Sequence, residues 1–259
     1  MVTGTVRAGW SGLREKVGDL KSDRVVAVIE EQIFSGQLSA GTRLPPENEL
    51  CEALGVSRTV LRDAVRILVA RGLLNVRQGR GTVVAEPNEK AYAESIVALL
   101  ARSSLRVSDV MEARTSIETM IARIACQAGT SEDWEMLDQL DEALMGAISS
   151  GDEMAAHTAH AAFHSGILQA THQPALILML NSLNQVAQLT GTASIRAGNM
   201  SDWDLDAHRS ILVALKSGDP DRAAQAMETH FTKLNCMPSY EALRERPFSE
   251  VYLASIARK

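Results

Sequence analysis

Near the start of the chain, apolar residues recur at helical spacing and predict three helices. The first has Asp23 as its N-cap candidate and carries its apolar residues on one face. A short second helix is expected from about Glu47 to Leu54, followed by a tight turn at Gly55. Ser57 then caps a third helix that ends near Ala70. Two helices joined by a short glycine-containing turn predict a helix-turn-helix.

The periodicity changes to alternation in the segment LLNVRQGRGTVV, which follows the third helix. Two short strands joined by a turn at Gly79-Arg80-Gly81 are expected there. The result is a small hairpin, or wing, with a basic tip. Its glycines allow a close approach of the wing backbone to a ligand.

After the short polar linker AEPNEK, the pattern is helical and contains no strand-like alternation. The candidate helices cover about 91–102, 107–128, 131–149, 152–170, 174–190, 203–217 and 220–236. Thr130 or Ser131 is the capping candidate of the third of these helices. The sequence therefore predicts a mainly α fold, in which an N-terminal winged helix-turn-helix with a small β wing precedes an all-α helical bundle.

The same pattern predicts the domain bounds. An N-terminal extension covers 1–21, the winged helix-turn-helix 22–86, and the helical domain 87–236. A C-terminal tail covers 237–259, and its pattern leaves open whether it is docked or disordered. No internal repeat is visible.

Composition narrows the class of protein. The three cysteines are scattered and odd in number, which is typical of reduced thiols rather than a disulfide framework. No segment approaches the ~18 apolar residues of a membrane span, and the first twenty residues lack the apolar core of a signal peptide. We expect a soluble cytoplasmic protein that has no membrane partner.

Charge is distributed unevenly along a chain whose formal net charge is −6. Residues 1–86 carry +2 and residues 87–259 carry −8, while the segment 56–84 contains six arginines and one acid. Arg58, Arg62 and Arg66 recur at i, i+4 and i+8 on the third helix. A basic island in an acidic protein indicates a local contact with a polyanion such as DNA. A merely solvated helix face is the alternative.

The helical region contains an unusual set of histidines. His160 and His164, within the stretch HTAHAAFH, lie one helical turn apart on one face. His208 and His230 each lie eleven residues from Asp219, so in two antiparallel helices joined at SGDP they face each other. The two pairs could converge on one point in a bundle, where metals commonly bind. Isolated core or surface histidines are the alternative.

The segment LPPENELCEALGVSRTVLRDAVRILVARGLLNVRQGRGTVV resembles the DNA-binding domain of the GntR family of bacterial transcription regulators, across about 65 residues. The resemblance implies that Arg58, Arg62 and Gly79 contact double-stranded DNA and that Thr59 contacts a phosphate. Asn48 stands where the family has an arginine, and it lacks the fork that holds guanine. The DNA-binding candidates are Asn48, Ser57, Arg58, Thr59, Arg62, Arg66, Gln78, Gly79 and Arg80.

The segment AHAAFHSGILQATHQPAL, with the two later histidines, is similar to the FCD effector domain of the FadR-type GntR subfamily. Many members bind a divalent metal there through one aspartate and three histidines. The resemblance implies that His164, His208 and His230 are ligands and that His160 replaces the aspartate. Four neutral imidazoles favour Zn²⁺, or alternatively Ni²⁺, over harder cations. They also leave the metal charge uncompensated, which should attract an anionic ligand.

Two arginines are candidates for holding that anion. Arg114, in VSDVMEARTSIETM, matches the arginine that often holds the effector carboxylate in the family. Arg196, together with Thr192 and Ser194 in TGTASIRAG, is a further pocket candidate. His157 is expected beside the cluster rather than in it, and His172 on the surface.

The sequence therefore predicts a homodimeric transcription regulator that binds a near-palindromic operator. We expect a repressor of a catabolic or transport operon that is released by a small carboxylate bound near the metal. One alternative is a metal-responsive regulator with a structural metal. The other is a metallohydrolase, which is disfavoured because Ala161, Ala162 and Phe163 separate the paired histidines, and no general base adjoins them.

Overall fold

The computed structural model of the chain describes residues 22–77, 81–186, 189 and 205–256. These residues are mainly helical and form two compact units that divide between Asn88 and Glu89. Each unit has its own hydrophobic core. In the described part of the chain, no helix combines the length and apolar character needed to cross a bilayer.

The first unit contains three helices and a two-stranded antiparallel hairpin. The elements are α1 (Ser22–Phe34), α2 (Glu47–Leu54), α3 (Arg58–Ala70), β1 (Leu74–Arg77) and β2 (Gly81–Val84). Helix α1 begins at Ser22, so Asp23 lies inside its first turn and is not the cap that the sequence predicted. Its carboxylate still lies at the positive end of the helix dipole.

The turn between α2 and α3 has the predicted chemistry. Gly55 ends α2 in the left-handed conformation, with φ of 69°, which suits a residue without Cβ. The Ser57 hydroxyl then accepts a hydrogen bond from the backbone N–H of Val60 at 3.3 Å and caps α3. Ala64 and Leu68 of α3 are completely buried, which leaves the arginine face of this helix toward solvent.

The hairpin is reinforced by a segment that the sequence pattern did not predict. Arg43 forms an isolated antiparallel bridge with Val83. The N–H of Leu44 donates to the carbonyl of Thr82 at 2.9 Å. A third extended segment therefore holds β2 on the side opposite β1 and fixes the base of the wing.

The second unit is a helical bundle. Its helices are α4 (Glu89–Arg102), α5 (Val107–Ala128), α6 (Ser131–Ser150), α7 (Glu153–Gln169), α8 (Pro174–Leu180), α9 (Leu205–Lys216), α10 (Pro220–Asn235), α11 (Pro238–Glu241) and α12 (Phe248–Ile256). The main packing partners are α6 with α7, α5 with α10, and α9 with α10. Phe163 and Phe231 are completely buried between them.

The predicted continuous helix 174–190 is interrupted. Helix α8 ends at Leu180, Asn181 is a turn residue, and residues 182–186 are helical again. The side-chain amide of Asn181 donates to Glu89 of α4 at 2.6 Å. Asparagine competes with the helical backbone for hydrogen bonds, which explains a break at this position.

The C-terminal segment is docked, as far as residue 256. The N–H of Phe248 donates to the carbonyl of Leu105 at 2.8 Å, and the N–H of Val107 donates to the carbonyl of Arg246 at 3.0 Å. Phe248 is completely buried, and α12 packs against α4. The sequence left the state of this segment open because its two prolines obscure the helical pattern.

Candidate functional site

Four histidines from three helices meet inside the second unit. His160 and His164 lie on α7, His208 on α9 and His230 on α10. One ring nitrogen from each lies within 4.8 Å of all the others. All four residues are buried. The structure thus brings together all the residues that the sequence proposed as metal ligands.

The local structure explains this convergence. The rings of His160 and His164 are 4.7 Å apart between centroids, as expected for neighbours one helical turn apart. Asp219 caps α10 after the turn at Gly218, so α9 and α10 form a hairpin. Within this hairpin the ring centroids of His208 and His230 lie 4.6 Å apart.

The donor set fits a divalent metal ion. Among the residues that the structure describes, the buried Nε2 atoms of His164 and His230 have no hydrogen-bond partner. An unsatisfied polar atom in a protein interior costs free energy, and a ligated metal would satisfy it. Burial, followed by the neighbouring histidines, holds the pKa of His160 and of His230 well below 6.5. These rings are therefore neutral at pH 7, as ligation requires.

A buried carboxylate that sequence analysis missed stands behind the cluster. Nδ1 of His164 donates a hydrogen bond to Oε2 of Glu118 on α5. Burial opposes ionisation of Glu118, but the Arg114 guanidinium and His164 outweigh it and lower its pKa to about 2. The carboxylate is therefore ionised and fixes the tautomer of His164, so that Nε2 keeps its lone pair. The i, i+4 spacing of Arg114 and Glu118 was the available signal, but it also describes an ordinary surface pair.

Arg114, the predicted effector anchor, is completely enclosed in the bundle. Its Nε donates to Oε1 of Glu118 at 2.5 Å, and its Cζ lies 5.0 Å from the ring centre of Phe231. Its Nη2 is buried and has no hydrogen-bond partner in the described part of the chain. Arg114 thus places an unsatisfied cationic donor close to the histidine cluster.

The other predicted residues of this region fall elsewhere. His157 is buried but does not belong to the group of four, and burial lowers its pKa to about 4. His172 is exposed and bonds to Asp133 at 2.6 Å, as expected for a surface residue. Arg196, Thr192 and Ser194 lie outside the described residues.

The first unit exposes those predicted DNA-binding residues that the structure describes. Asn48, Ser57, Arg58, Thr59, Arg62 and Arg66 are all exposed. Gln78, Gly79 and Arg80 lie outside the described residues. Arg43, which sequence analysis did not single out, lies beside the wing. Its guanidinium packs against Gly81, 3.3 Å from the position that a Cβ atom would take at that residue. Its only sequence signal was an isolated arginine in a loop.

Two family profiles match this chain, one in each unit. The profile described as "Bacterial regulatory proteins, gntR family" matches residues 21–84, and the profile described as "FCD domain" matches residues 109–233. The chain is 32% identical over 217 residues to the galactonate operon transcriptional repressor of Escherichia coli K12, which covers 81% of this chain and 93% of that protein. The chain belongs to the GntR family and carries an FCD domain.

Two further similar proteins support the assignment of this chain to the GntR family. The putative L-lactate dehydrogenase operon regulatory protein of Escherichia coli K12 is 30% identical over 232 residues, 85% of either chain. The solved structure named Streptococcus agalactiae GntR superposes with a TM-score of 0.61 at 26% identity, covering 82% of this chain and 98% of that one. These proteins and families are transcription regulators, which confirms the prediction that the chain is not an enzyme.

Proposed function

We propose that this GntR-family regulator is a homodimeric repressor whose DNA affinity is controlled by a small carboxylate bound beside a metal ion. The observation that carries the proposal is the buried cluster of four histidines, backed by Glu118 and Arg114. Residues 22–86 form the DNA-binding domain and residues 87–236 the effector domain.

His160, His164, His208 and His230 would hold the metal. Four imidazole nitrogens suit Zn²⁺ or Ni²⁺ better than cations that prefer oxygen ligands. The hydrogen bond from His164 to Glu118 has the form found behind many metal-bound histidines. When bound, the ion supplies positive charge and coordination positions for an anion.

The electrostatics around the cluster favour an anionic effector. The charges of Arg114 and Glu118 cancel, so they leave the charge of a divalent ion uncompensated. The unsatisfied Nη2 of Arg114 can donate to a carboxylate, a charge-assisted hydrogen bond. Two relatives are named for the galactonate and L-lactate dehydrogenase operons, and both names refer to hydroxy acids. We therefore expect a small organic acid.

DNA binding is proposed to rest on the exposed arginine face of α3. Arg58 and Arg62 lie in its N-terminal half, where a recognition helix reaches base edges in the major groove. Asn48, Ser57, Thr59 and Arg66, with Gln78, Gly79 and Arg80 of the wing, complete the contact set. A two-fold symmetric dimer would bind a near-palindromic operator in double-stranded DNA.

The alternative is a structural metal site, and the number of histidine ligands favours it. Four imidazoles complete the tetrahedral coordination that structural zinc sites use. In that case the metal would stabilise the bundle, and the protein would respond to metal rather than to an acid. Six-coordinate Ni²⁺ would instead leave two positions open.

A thermal-shift screen separates these possibilities. Small organic acids are added to metal-free, zinc-loaded and nickel-loaded protein, and melting temperatures are recorded over a range of concentrations. A ligand that binds the folded state raises the melting temperature with its concentration. A rise that needs metal supports the carboxylate switch, whereas stabilisation by metal alone, with no response to any acid, supports the structural site.

A further inference from the structure

An ion pair links the two helices of the helix-turn-helix. Oε1 of Glu47, the first residue of α2, lies 2.9 Å from Nε of Arg62 in the second turn of α3. The arginine side chain is 62% exposed and the glutamate side chain 36% exposed. The pair therefore lies at the surface, on the basic face that carries the DNA-binding candidates.

The ion pair with Glu47 involves Nε of Arg62 and not its Nη atoms. The guanidinium is a rigid plane, and the carboxylate oxygen attracts its Nε edge by charge rather than through a hydrogen bond, which leaves both Nη atoms available. An exposed ion pair contributes little to stability, so stabilising the fold does not explain it. A side chain that is already oriented loses less conformational entropy on binding. The geometry suits an arginine that must present two parallel donors to a base.

The neighbouring residue increases the importance of this pair. Asn48, which follows Glu47 directly, is exposed and has a single short amide instead of a guanidinium. It cannot make the bidentate contact with guanine that arginine makes. More of the base recognition by this surface therefore depends on how well the remaining arginines are oriented.

We propose that Glu47 is a positioning residue that orients the Arg62 guanidinium for base recognition and so contributes to operator specificity. The inference rests on the proposed role of Arg62 as a DNA contact. Glu47 acts through Arg62 and does not itself need to contact DNA.

The chain offers a matched control. Arg66 pairs with Asp63 at 3.1 Å, also on α3, but both residues belong to the same helix and are 79% and 49% exposed. Asp63→Asn removes one negative charge from the same surface, as Glu47→Gln does. The two variants therefore share the change in net charge and differ in which arginine loses its partner.

The test uses two duplexes of equal length, one selected by the wild-type protein from a random pool and one scrambled. Affinities are measured at several salt concentrations for the full-length protein. For Glu47→Gln we expect the preference for the selected duplex to fall about fivefold or more. Asp63→Asn should change affinity for both duplexes equally. Glu47→Asp, which keeps the charge but shortens the side chain, should also lose preference.

A mutant cycle separates the proposed role of Glu47 from the proposed DNA contact of Arg62. In an Arg62→Ala background, Glu47→Gln should cause no further loss of preference, because its partner is absent. If Arg62→Ala alone leaves affinity for the selected duplex unchanged, the proposed DNA contact fails. If Arg62→Ala weakens it but Glu47→Gln strengthens both duplexes equally, Glu47 is only a local negative charge and the inference is overturned. Circular-dichroism melting checks that each variant is folded.

Discussion

Nδ1 of the buried His164 donates a hydrogen bond to the carboxylate of Glu118, whose other oxygen accepts a hydrogen bond from Arg114. The side chains of His164 and Arg114 are each 2% exposed, and that of Glu118 is 7% exposed. This chain of three residues connects α5 to α7 and turns the lone pair of His164 Nε2 away from Glu118. In the proposed metal site, the affinity for the ion would therefore depend on Glu118, which is not itself a ligand.

Glu118→Gln should weaken metal binding while leaving the bundle folded. The Glu118 carboxylate fixes the tautomer of His164 and makes its imidazole a stronger ligand. The variant loses both effects because glutamine carries no charge. Residues that accept a hydrogen bond from a metal-ligating histidine contribute about 10- to 100-fold to metal affinity. Competition with a chromophoric chelator measures the change. Glu135→Gln, an exposed change on α6, is the control. Equal zinc affinities in wild type and Glu118→Gln would contradict the role assigned to Glu118.

Removing a proposed ligand should remove the metal. His208→Ala and His230→Ala should each contain far less than one metal per chain after purification, should melt earlier, and should lose the response to effector. His157→Ala should keep its metal, because His157 lies outside the cluster. Elemental analysis of the three variants decides this, and equal metal contents would refute the ligand assignment. Their DNA affinity without effector should change less, since the winged helix has its own core.

His160→Asp should keep a metal but change which one is preferred. A carboxylate oxygen favours harder cations than an imidazole nitrogen does, and its charge neutralises part of the charge of the metal. The ratio of Mn²⁺ to Zn²⁺ affinity should therefore rise, and carboxylates should bind more weakly to the metal-loaded protein. Titration calorimetry of both metals, and of an acid identified by the thermal-shift screen, measures these changes. An unchanged metal preference would show that His160 is not a ligand.

Acid should destabilise the metal-free protein partly through His157. Burial lowers the pKa of His157 to about 4, against 6.5 for an unperturbed histidine. As the pH falls below 6.5 the unfolded chain binds a proton that the folded chain does not, so the free energy of unfolding falls until about pH 4. Urea denaturation at pH 7 and pH 4.5 should show that His157→Gln reduces this loss by on the order of 2 kcal/mol. The same pH dependence in both proteins would contradict the burial effect.

Arg58→Ala and Arg62→Ala should lose operator binding without unfolding. Both side chains are exposed on α3, so their removal leaves the core of the unit intact. Loss of a phosphate contact weakens all duplexes and lowers the salt slope by about one, whereas loss of a base contact costs about 1–3 kcal/mol on the selected duplex alone. Fluorescence anisotropy with selected and scrambled duplexes distinguishes the two. Undiminished affinity in both variants would refute the recognition helix.

Much of this structure follows from local rules that a single sequence displays. The apolar spacing predicted α5 over the same bounds that it has in the structure, Val107–Ala128. Capping chemistry predicted Ser57 at the start of α3, and Thr130 caps α6, as one of the two predicted candidates. The pairing of His208 with His230 also followed, because the equal distances from a hairpin turn are visible in the sequence.

Features that depend on contacts between distant segments were not predictable in this way. Glu118 lies 46 residues from His164, and the spacing of the sequence does not indicate their hydrogen bond. The extended segment at Arg43 becomes visible only when it pairs with the wing. The break at Asn181 accompanies a hydrogen bond to Glu89, 92 residues away in the sequence. In each case tertiary partners override the local pattern.

The most direct test measures DNA affinity with the acid identified by the thermal-shift screen, in metal-loaded and in chelator-treated protein. Fluorescence anisotropy on the selected duplex records the dissociation constant as the acid concentration rises. We expect the acid to weaken DNA binding of the metal-loaded protein and to have little effect after metal removal or in His230→Ala. Metal-free wild-type protein that still releases DNA fully at the same acid concentration would show that the histidine cluster is not the switch.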